Sequence, residues 1–244
     1  MTDVSKFLEE RKQNIIRLGK DKGIHKQAID FLTASSVSQY SYHFDWLGLP
    51  IIQFPQDIVA IQEIIWKTKP DVVIETGVAR GGSLILSASI LHLLNGNGRV
   101  IGVDIDIRPH NRTAIEAHPL AHRISLIQGS SIDHAIVDQV MQHVKPGDRV
   151  MVILDSNHTH DHVLEELRLY SPSVTKDCYL VVMDTVVEDM PEDYFPDRPW
   201  GKGDNPKTAV HAFLKETDQF VIDASIHDKL LITVAPDGYL RCIK

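Results

Sequence analysis

Asp71-Val72-Val73-Ile74-Glu75-Thr76-Gly77-Val78-Ala79-Arg80-Gly81-Gly82-Ser83 decides the fold, because it reads as a buried strand, a tight turn and the start of a helix. The β-branched run at its head suits a strand covered on both faces, as in a parallel sheet. Leu84-Ile85-Leu86-Ser87-Ala88-Ser89-Ile90-Leu91 continues as a helix packed on that sheet. Gly77, Gly81 and Gly82 leave space at the turn, since glycine accepts positive φ and lets the backbone approach a bound molecule. The helix that follows turns its free N–H groups and the positive end of its dipole toward the same space. The stretch is therefore read as a cofactor cradle.

Its spacing discriminates between cofactors. Gly77-Val78-Ala79-Arg80-Gly81 is not the G-x-G-x-x-G of dinucleotide folds, whose second glycine admits a pyrophosphate. Glu75 would repel phosphate but can accept hydrogen bonds from, or pair with, a cationic ligand such as the amino group or sulfonium region of S-adenosylmethionine. The next strand, Arg99 to Asp106, ends in acids, and Asp104 is placed to accept both ribose hydroxyls of an adenosine. Expected cofactor contacts are Glu75, Gly77, Ala79, Gly81 and Ser83 in the turn, Asp104, and Ser130 after the third strand. Ser130 and Ser131 are equally suited to capping the helix that starts there.

The chain of 244 residues, 43% of them hydrophobic, can bury a full core as one α/β unit. A formal charge of -8 disfavours nucleic acid or an anionic membrane as partner and favours small-molecule chemistry. No apolar run approaches membrane-spanning length and Met1 to Lys6 lacks a signal-peptide core, so a cytoplasmic protein is expected. Cys178 and Cys242, without C-x-x-C spacing, read as reduced packing residues.

Residues 3 to 33 read as helix with a break around Gly23, and 1–49 form an N-terminal helical extension with an aromatic loop, Tyr40 to Pro50. Residues 50–244 form the main domain. A helix with Asp57 in its first turn ends before Pro70. Past the second strand come a helix from about Asn111, a strand Ile124 to Gly129, a helix Ala135 to Val144, and a fourth strand, Val150 to Asp155. A fifth strand, Tyr179 to Asp184, precedes a long loop rich in Pro, Gly and acids, Val186 to Pro206, of the kind that is either a lid or disordered. A helix opens at Pro206, and Phe220 to Asp223, Leu230 to Val234 and an edge extension within Pro236 to Ile243 read as the last strands.

The fourth strand delivers Asp155-Ser156-Asn157-His158-Thr159-His160-Asp161-His162 to the rim where open α/β sheets hold their active sites. His158, three residues beyond Asp155, can take a hydroxyl proton near neutral pH and is the candidate general base. His160 and His162 are read as no more than cover for a helix N-terminus. Asp155 and Asp184 together can hold Mg²⁺, which prefers hard oxygen ligands.

Five strand-helix units and acids after the second, fourth and fifth strands resemble class I methyltransferases that use S-adenosylmethionine. Phe44-Asp45-Trp46-Leu47-Gly48-Leu49-Pro50, Gln62-Glu63-Ile64-Ile65-Trp66, Ile74-Glu75-Thr76-Gly77, Gly81-Gly82-Ser83, Leu154-Asp155-Ser156, His162-Val163-Leu164 and Asn205-Pro206-Lys207-Thr208-Ala209-Val210 resemble the cephalosporin hydroxylase / rhamnosyl O-methyltransferase family from about Tyr40 onward. The resemblance implies a Rossmann-like methyltransferase sheet, mostly parallel with an antiparallel closing strand and helices on both faces. It also implies bound S-adenosylmethionine, an acid-bound Mg²⁺, a homo-oligomer, and a hydroxylated small molecule, sugar or natural product as acceptor. Asp155-x-x-His158 is similar to the Asp-x-x-Lys of catechol-type O-methyltransferases. Asn157 and Met183 depart from the family pattern, each standing where an acid is common and removing a possible oxygen ligand.

Two other classes remain open at this level. An iron- and 2-oxoglutarate-dependent hydroxylase would use His43-Phe44-Asp45 as the H-x-D half of a facial triad, but such enzymes are built on β-sandwich barrels. A non-catalytic binding protein with a vestigial pocket is the third reading.

Overall fold

In the central strands, alternate residues go to opposite faces, and both faces are apolar. Val72 and Ile74 of β3 (Val72–Thr76) join one core with Val150, Val152 and Leu154 of β6 (Val150–Leu154), while Val73, Met151 and Ile153 join the other. Such strands need a layer on each side, which is the reason the chain alternates strand and helix. The computed structural model describes residues 2–244.

The main sheet has seven strands in the order β5-β4-β3-β6-β7-β9-β8. They are β4 (Arg99–Asp104), β5 (Ile124–Gln128), β7 (Tyr179–Val182), β8 (Phe220–Ile222) and β9 (Tyr239–Cys242) beside β3 and β6. The first five are parallel, and β9 runs antiparallel to both β7 and β8. On one face α3 (Pro55–Thr68) and α4 (Gly82–Leu93) pack through Ile61, Ile65, Leu84 and Leu91. On the other, α7 (His160–Tyr170) and α8 (Pro206–Glu216) pack through Leu167, Tyr170, Val210 and Phe213. The expected architecture, including the antiparallel closing strand, is present.

A hairpin, β1 (Phe44–Trp46) and β2 (Leu49–Ile51), precedes α3. Leu47 and Gly48 both have positive φ, as a two-residue turn matching strand twist requires. The Trp46 indole donates to Ser89 Oγ at 3.1 Å and ties the hairpin to α4. Ahead of it lie α1 (Asp3–Lys20), none of whose residues is buried, and α2 (Lys22–Ser36), which inserts Leu32 against Phe54, Val186 and Met190.

Four readings need correction. The helical break falls at Asp21, not Gly23, because the Asp21 carboxylate accepts from the N–H groups of Gly23 and Ile24 and caps α2. The second strand stops at Asp104, whose Oδ1 accepts the Asp106 N–H at 3.0 Å and pulls the chain out of the ladder. Leu230 to Val234 is no strand: α9 (Ala224–Leu230) ends there, and the Val234 N–H donates to buried Asp57 rather than to a neighbouring strand. The final segment is no edge either. Tyr239, Leu240 and Cys242 are buried because β9 inserts between β7 and β8, leaving β8 outermost.

Asp57 has a larger role than a helix-end charge. Fully buried, it accepts from the Thr233 and Tyr239 hydroxyls and from Val234, and so pins the irregular 231–238 segment to the start of α3. Burial pushes its carboxyl up to about 6 despite those donors.

Candidate active site

Parallel register brings the predicted acids to one rim. Thr76 pairs with Val103 on one side and Leu154 on the other, and Asp155 and Met183 extend the ladder by donating to Thr76 and Leu154, both at 2.9 Å. Counted along the register, Glu75 stands one row before Thr76, Asp104 and Asp155 one row beyond it and Asp184 two rows beyond it, so the four acids gather at the ends of neighbouring strands. Adjacent parallel strands in register end together, so residues far apart in sequence converge there.

The turn after β3 is shaped by the protein's own packing. A Cβ on Gly77, at φ +96°, would lie 2.0 Å from the Asp155 carbonyl oxygen, and one on Gly82 would lie 2.3 Å from the Pro50 carbonyl oxygen. These glycines admit β6 and β2, so their first requirement is the protein's own packing, and they also border a cleft. Ala79 also has positive φ, and Asn111 of α5 (Pro109–Glu116) holds its carbonyl with a 2.7 Å hydrogen bond. Asp104 closes the turn from the other side: its Oδ2 accepts from Val78 at 2.8 Å and Ala79 at 3.2 Å. With Asp106 on Oδ1, three of a carboxylate's roughly four acceptor positions are filled, so Asp104 can take one ribose hydroxyl rather than two.

Pro50, Ile52, Gln53, the turn, Ser83 and Asp155 line a cleft above β3. Behind Ser83, Glu75 is 1% exposed, accepts from the Ser83 hydroxyl through Oε1, and has no partner at Oε2. Burial drives its carboxyl up to about 7. Gln53, likewise buried, leaves its Oε1 without a donor. Unpaired buried acceptors beside a cleft are costly, and a cationic hydrogen-bond donor entering it would satisfy them.

Asp155, His158 and Asp184 meet at the same rim, with one potential ligand atom from each lying within 4.8 Å of the others. No other such group occurs among the described residues, so His43 and Asp45 on the hairpin join no metal-binding cluster. Asp155 is held well above the ordinary carboxylate range, first by desolvation and then by the like charge of Asp184. A cation or a shared proton relieves that repulsion. The His158 Nδ1 sits 3.4 Å from Asp184 Oδ2, and its ring meets the edge of Trp200 at 4.8 Å. The two carboxylates fit a hard divalent ion such as Mg²⁺, and His158 adds a nitrogen at the cluster's border.

Trp200 belongs to the Val186 to Pro206 loop, which is fastened at several points. Glu188 accepts from Gly203 and Asn205, Lys207 pairs with Asp189, and the Tyr194 hydroxyl donates to the Thr33 carbonyl. Asn205 caps α8 reciprocally with Thr208.

His162 and its neighbours are the part of the site that sequence reasoning passed over. Its Nε2 lies 3.1 Å from Ser131 Oγ and 3.3 Å from Ser156 Oγ, and Ser156 donates to fully buried Glu166 at 2.7 Å. Val103, Asp104, Ile105, Ser130, Ser131, Ser156, Asn157 and His162 line a second cleft beside the turn. Ser130 is thus at the cleft, and neither it nor Ser131 caps a helix: Asp133 caps α6 (His134–Met141). His160 behaves as expected, bound to Asp204 and Thr208 at the start of α7.

The family description Rhamnosyl O-methyltransferase/CmcI matches residues 38–243 of the chain. The protein belongs to this family. The rhamnosyl O-methyltransferase of Mycobacterium bovis (strain BCG / Pasteur 1173P2) is 31% identical over 201 residues, covering 80% of this chain and 76% of that protein. That of Mycobacterium leprae (strain TN) is 29% identical over 198 residues, covering 80% and 81%. Among solved structures, CmcI-D160 described with Mg and SAM superposes with a TM-score of 0.57 at 18% identity, covering 83% of this chain and 78% of that one. An O-methyltransferase from Bacillus cereus in complex with SAH gives 0.55 at 12% identity over 92% of each chain. These likenesses carry the fold, a Rossmann-like methyltransferase sheet, and the family match makes the chain a methyltransferase-class enzyme. The family match begins at residue 38, just past α2, so the two N-terminal helices lie outside the part matched by the family description.

Proposed function

We propose that the protein transfers a methyl group from S-adenosylmethionine to a hydroxyl of a small, sugar-bearing acceptor. The observation that carries this reading is the convergence of Asp155, His158 and Asp184 beside a cleft with two unpaired buried acceptors, Glu75 Oε2 and Gln53 Oε1. The ammonium of a methionine tail is the donor those acceptors lack. The mycobacterial relatives bear the name rhamnosyl O-methyltransferase, which favours a deoxyhexose hydroxyl as the acceptor.

Each residue's part follows from its surroundings. Glu75, Gln53 and Ser83 receive the amino-acid end of the cofactor, the Gly77 to Gly81 turn carries its middle, and Asp104 takes one ribose hydroxyl. Asp155 and Asp184 would hold Mg²⁺, which when bound lowers the pKa of a nearby hydroxyl. His158 Nδ1 faces Asp184 Oδ2 at 3.4 Å, and a proton held on that nitrogen by the carboxylate's charge would leave the Nε2 lone pair free to take the acceptor's proton. Trp200 packs against the imidazole and limits its rotation. Positioning of the methyl group and the hydroxyl supplies most of the rate. Family membership and a small-molecule acceptor also favour a self-associating protein of the cell interior, and among the described residues no helix is long and apolar enough to cross a membrane.

The test is a calorimetric titration with S-adenosylhomocysteine, followed by transfer from methyl-labelled S-adenosylmethionine to a panel of rhamnosides with and without Mg²⁺. Micromolar binding, about -8 kcal/mol, and label in the glycoside are expected. Absence of S-adenosylhomocysteine binding to folded protein would overturn the reading.

A further inference from the structure

Asp155 and Asp184 are held at the rim in different ways. Asp155 continues the central strand β6 and donates its N–H to the Thr76 carbonyl at 2.9 Å. Asp184 lies beyond the end of β7 at φ 54° and ψ 21°, the left-handed region that residues with a side chain seldom enter. Such a conformation persists where the surrounding structure over-determines it. Here the surroundings are residues 234–238, the irregular stretch that leads into β9. The Val182 N–H donates to the Gly238 carbonyl at 2.8 Å, the Thr185 hydroxyl to the Pro236 carbonyl at 2.6 Å, and the Val186 N–H to the Val234 carbonyl at 3.0 Å. Asp184 is therefore bracketed by bonds on both sides. A Cβ on Gly238 would lie 2.0 Å from the Val182 carbonyl oxygen, so the two backbones touch.

Residues 231–238 belong to no helix or strand, so no ladder fixes them along their length. Asp57 does so instead. From its fully buried place in the first turn of α3, its Oδ2 accepts from the Val234 N–H at 3.0 Å. Its Oδ1 accepts from the Tyr239 hydroxyl at 2.8 Å and from the Thr233 hydroxyl. Thr233 Oγ1 in turn accepts from the Ala235 N–H at 3.0 Å. Val234 is the joint, because Asp57 binds its N–H while its carbonyl binds Val186. A single residue thus connects the buried carboxylate to the backbone just past Asp184.

We propose that Asp57 is a positioning residue for the metal pair, holding Asp184 through Val234 at the place where it meets Asp155 and His158. Mg²⁺ tolerates little error in the position of its ligands, and residues that orient those ligands govern affinity without touching the ion. The inference rests on the reading of Asp155 and Asp184 as a divalent-cation site, and it adds the support that one of the two ligands requires.

The experiment titrates Mn²⁺, a paramagnetic substitute for Mg²⁺, into the full chain and reads free ion by electron paramagnetic resonance, with S-adenosylhomocysteine affinity measured in parallel. The proteins compared are wild type, Asp57→Asn, Thr185→Val and Val140→Ala. Asparagine keeps the shape of Asp57 but has one acceptor oxygen, so it cannot serve the Val234 N–H and the two hydroxyls together. Mn²⁺ affinity should fall about 10-fold or more in Asp57→Asn and about threefold or more in Thr185→Val, which loses only the bond to Pro236. S-adenosylhomocysteine affinity should stay within about twofold of wild type in both, since its contacts lie over β3 and β4. Val140, buried on α6 beside β5 at the opposite end of the sheet, is the control: Val140→Ala should lose stability and keep its Mn²⁺ affinity. Thr185→Val carries the test if Asp57→Asn does not fold. Wild-type Mn²⁺ affinity in either folded variant, or an equal loss in Val140→Ala, would overturn the inference. Failure of wild type to bind Mn²⁺ at all would instead overturn the metal reading, and the inference with it.

Discussion

Replacing Glu75 by Gln removes one buried titratable group while keeping its shape and its acceptor for Ser83. Glu75 is 1% exposed, and burial raises its carboxyl from an ordinary value of 4.5 to about 7. Between those two pH values the folded chain therefore holds a proton that the unfolded chain has released. Stability falls as pH rises wherever the folded state binds more protons. Glu75 accordingly costs nothing below about pH 4.5, and its full cost is present above about pH 7. At about 1.4 kcal/mol per pH unit, that window corresponds to on the order of 3 kcal/mol. Glu75→Gln titrates nothing at this position, so its stability relative to wild type should grow by about that amount between pH 4.5 and pH 7.5. A constant offset from the amide cancels in the comparison, and the raised carboxyl of Asp57 titrates alike in both proteins. Asp155 cancels less completely, because its own elevation includes a repulsion from Glu75. The assay is urea unfolding of ligand-free protein at half-unit pH steps, followed by far-UV circular dichroism. A stability difference that stays within about 0.5 kcal/mol across the range would show that Glu75 is not held protonated by burial, and would refute the reasoning.

His158→Ala should leave S-adenosylhomocysteine affinity nearly unchanged while lowering single-turnover methyl transfer by about 10²- to 10⁴-fold; a wild-type rate would exclude the base role. Gly77→Ala should destabilise by about 4 kcal/mol or more, because its Cβ would lie 2.0 Å from a backbone oxygen. Gly48→Ala, with a similar φ but open space around it, should cost only about 1 to 2 kcal/mol, and paired thermal melts would read the contrast. Asp57→Ala strands the Thr233 and Tyr239 hydroxyls and the Val234 N–H, so a loss of about 3 kcal/mol or more is expected in urea unfolding. A loss below about 1 kcal/mol there would mean that the 231–238 segment is not pinned through Asp57.

The sequence by itself determined the alternation of strand and helix, the glycine turn that follows the first parallel strand, and the rim that gathers Glu75, Asp104, Asp155 and Asp184. Those features are local: β-branched runs favour strands, glycine and acids end them, and parallel strands in register finish together. Tertiary structure decided which partner each polar group meets. Asp104 reads as a ribose ligand because its strand position is visible, whereas its hydrogen bonds to Val78 and Ala79 depend on how the turn folds back over β4. Gly77 and Gly82 read as room for a ligand because nothing in the chain shows that Asp155 and Pro50 lie against them. Likewise Leu230 to Val234 has strand composition, but Asp57, 177 positions from Val234, takes its backbone donor. His162 looked like helix-end cover for the same reason: Ser131, 31 positions away, reaches it only once β5 and β6 are placed on either side of β3 and β4. Periodicity fixes which face a residue occupies, and only packing fixes what stands opposite it.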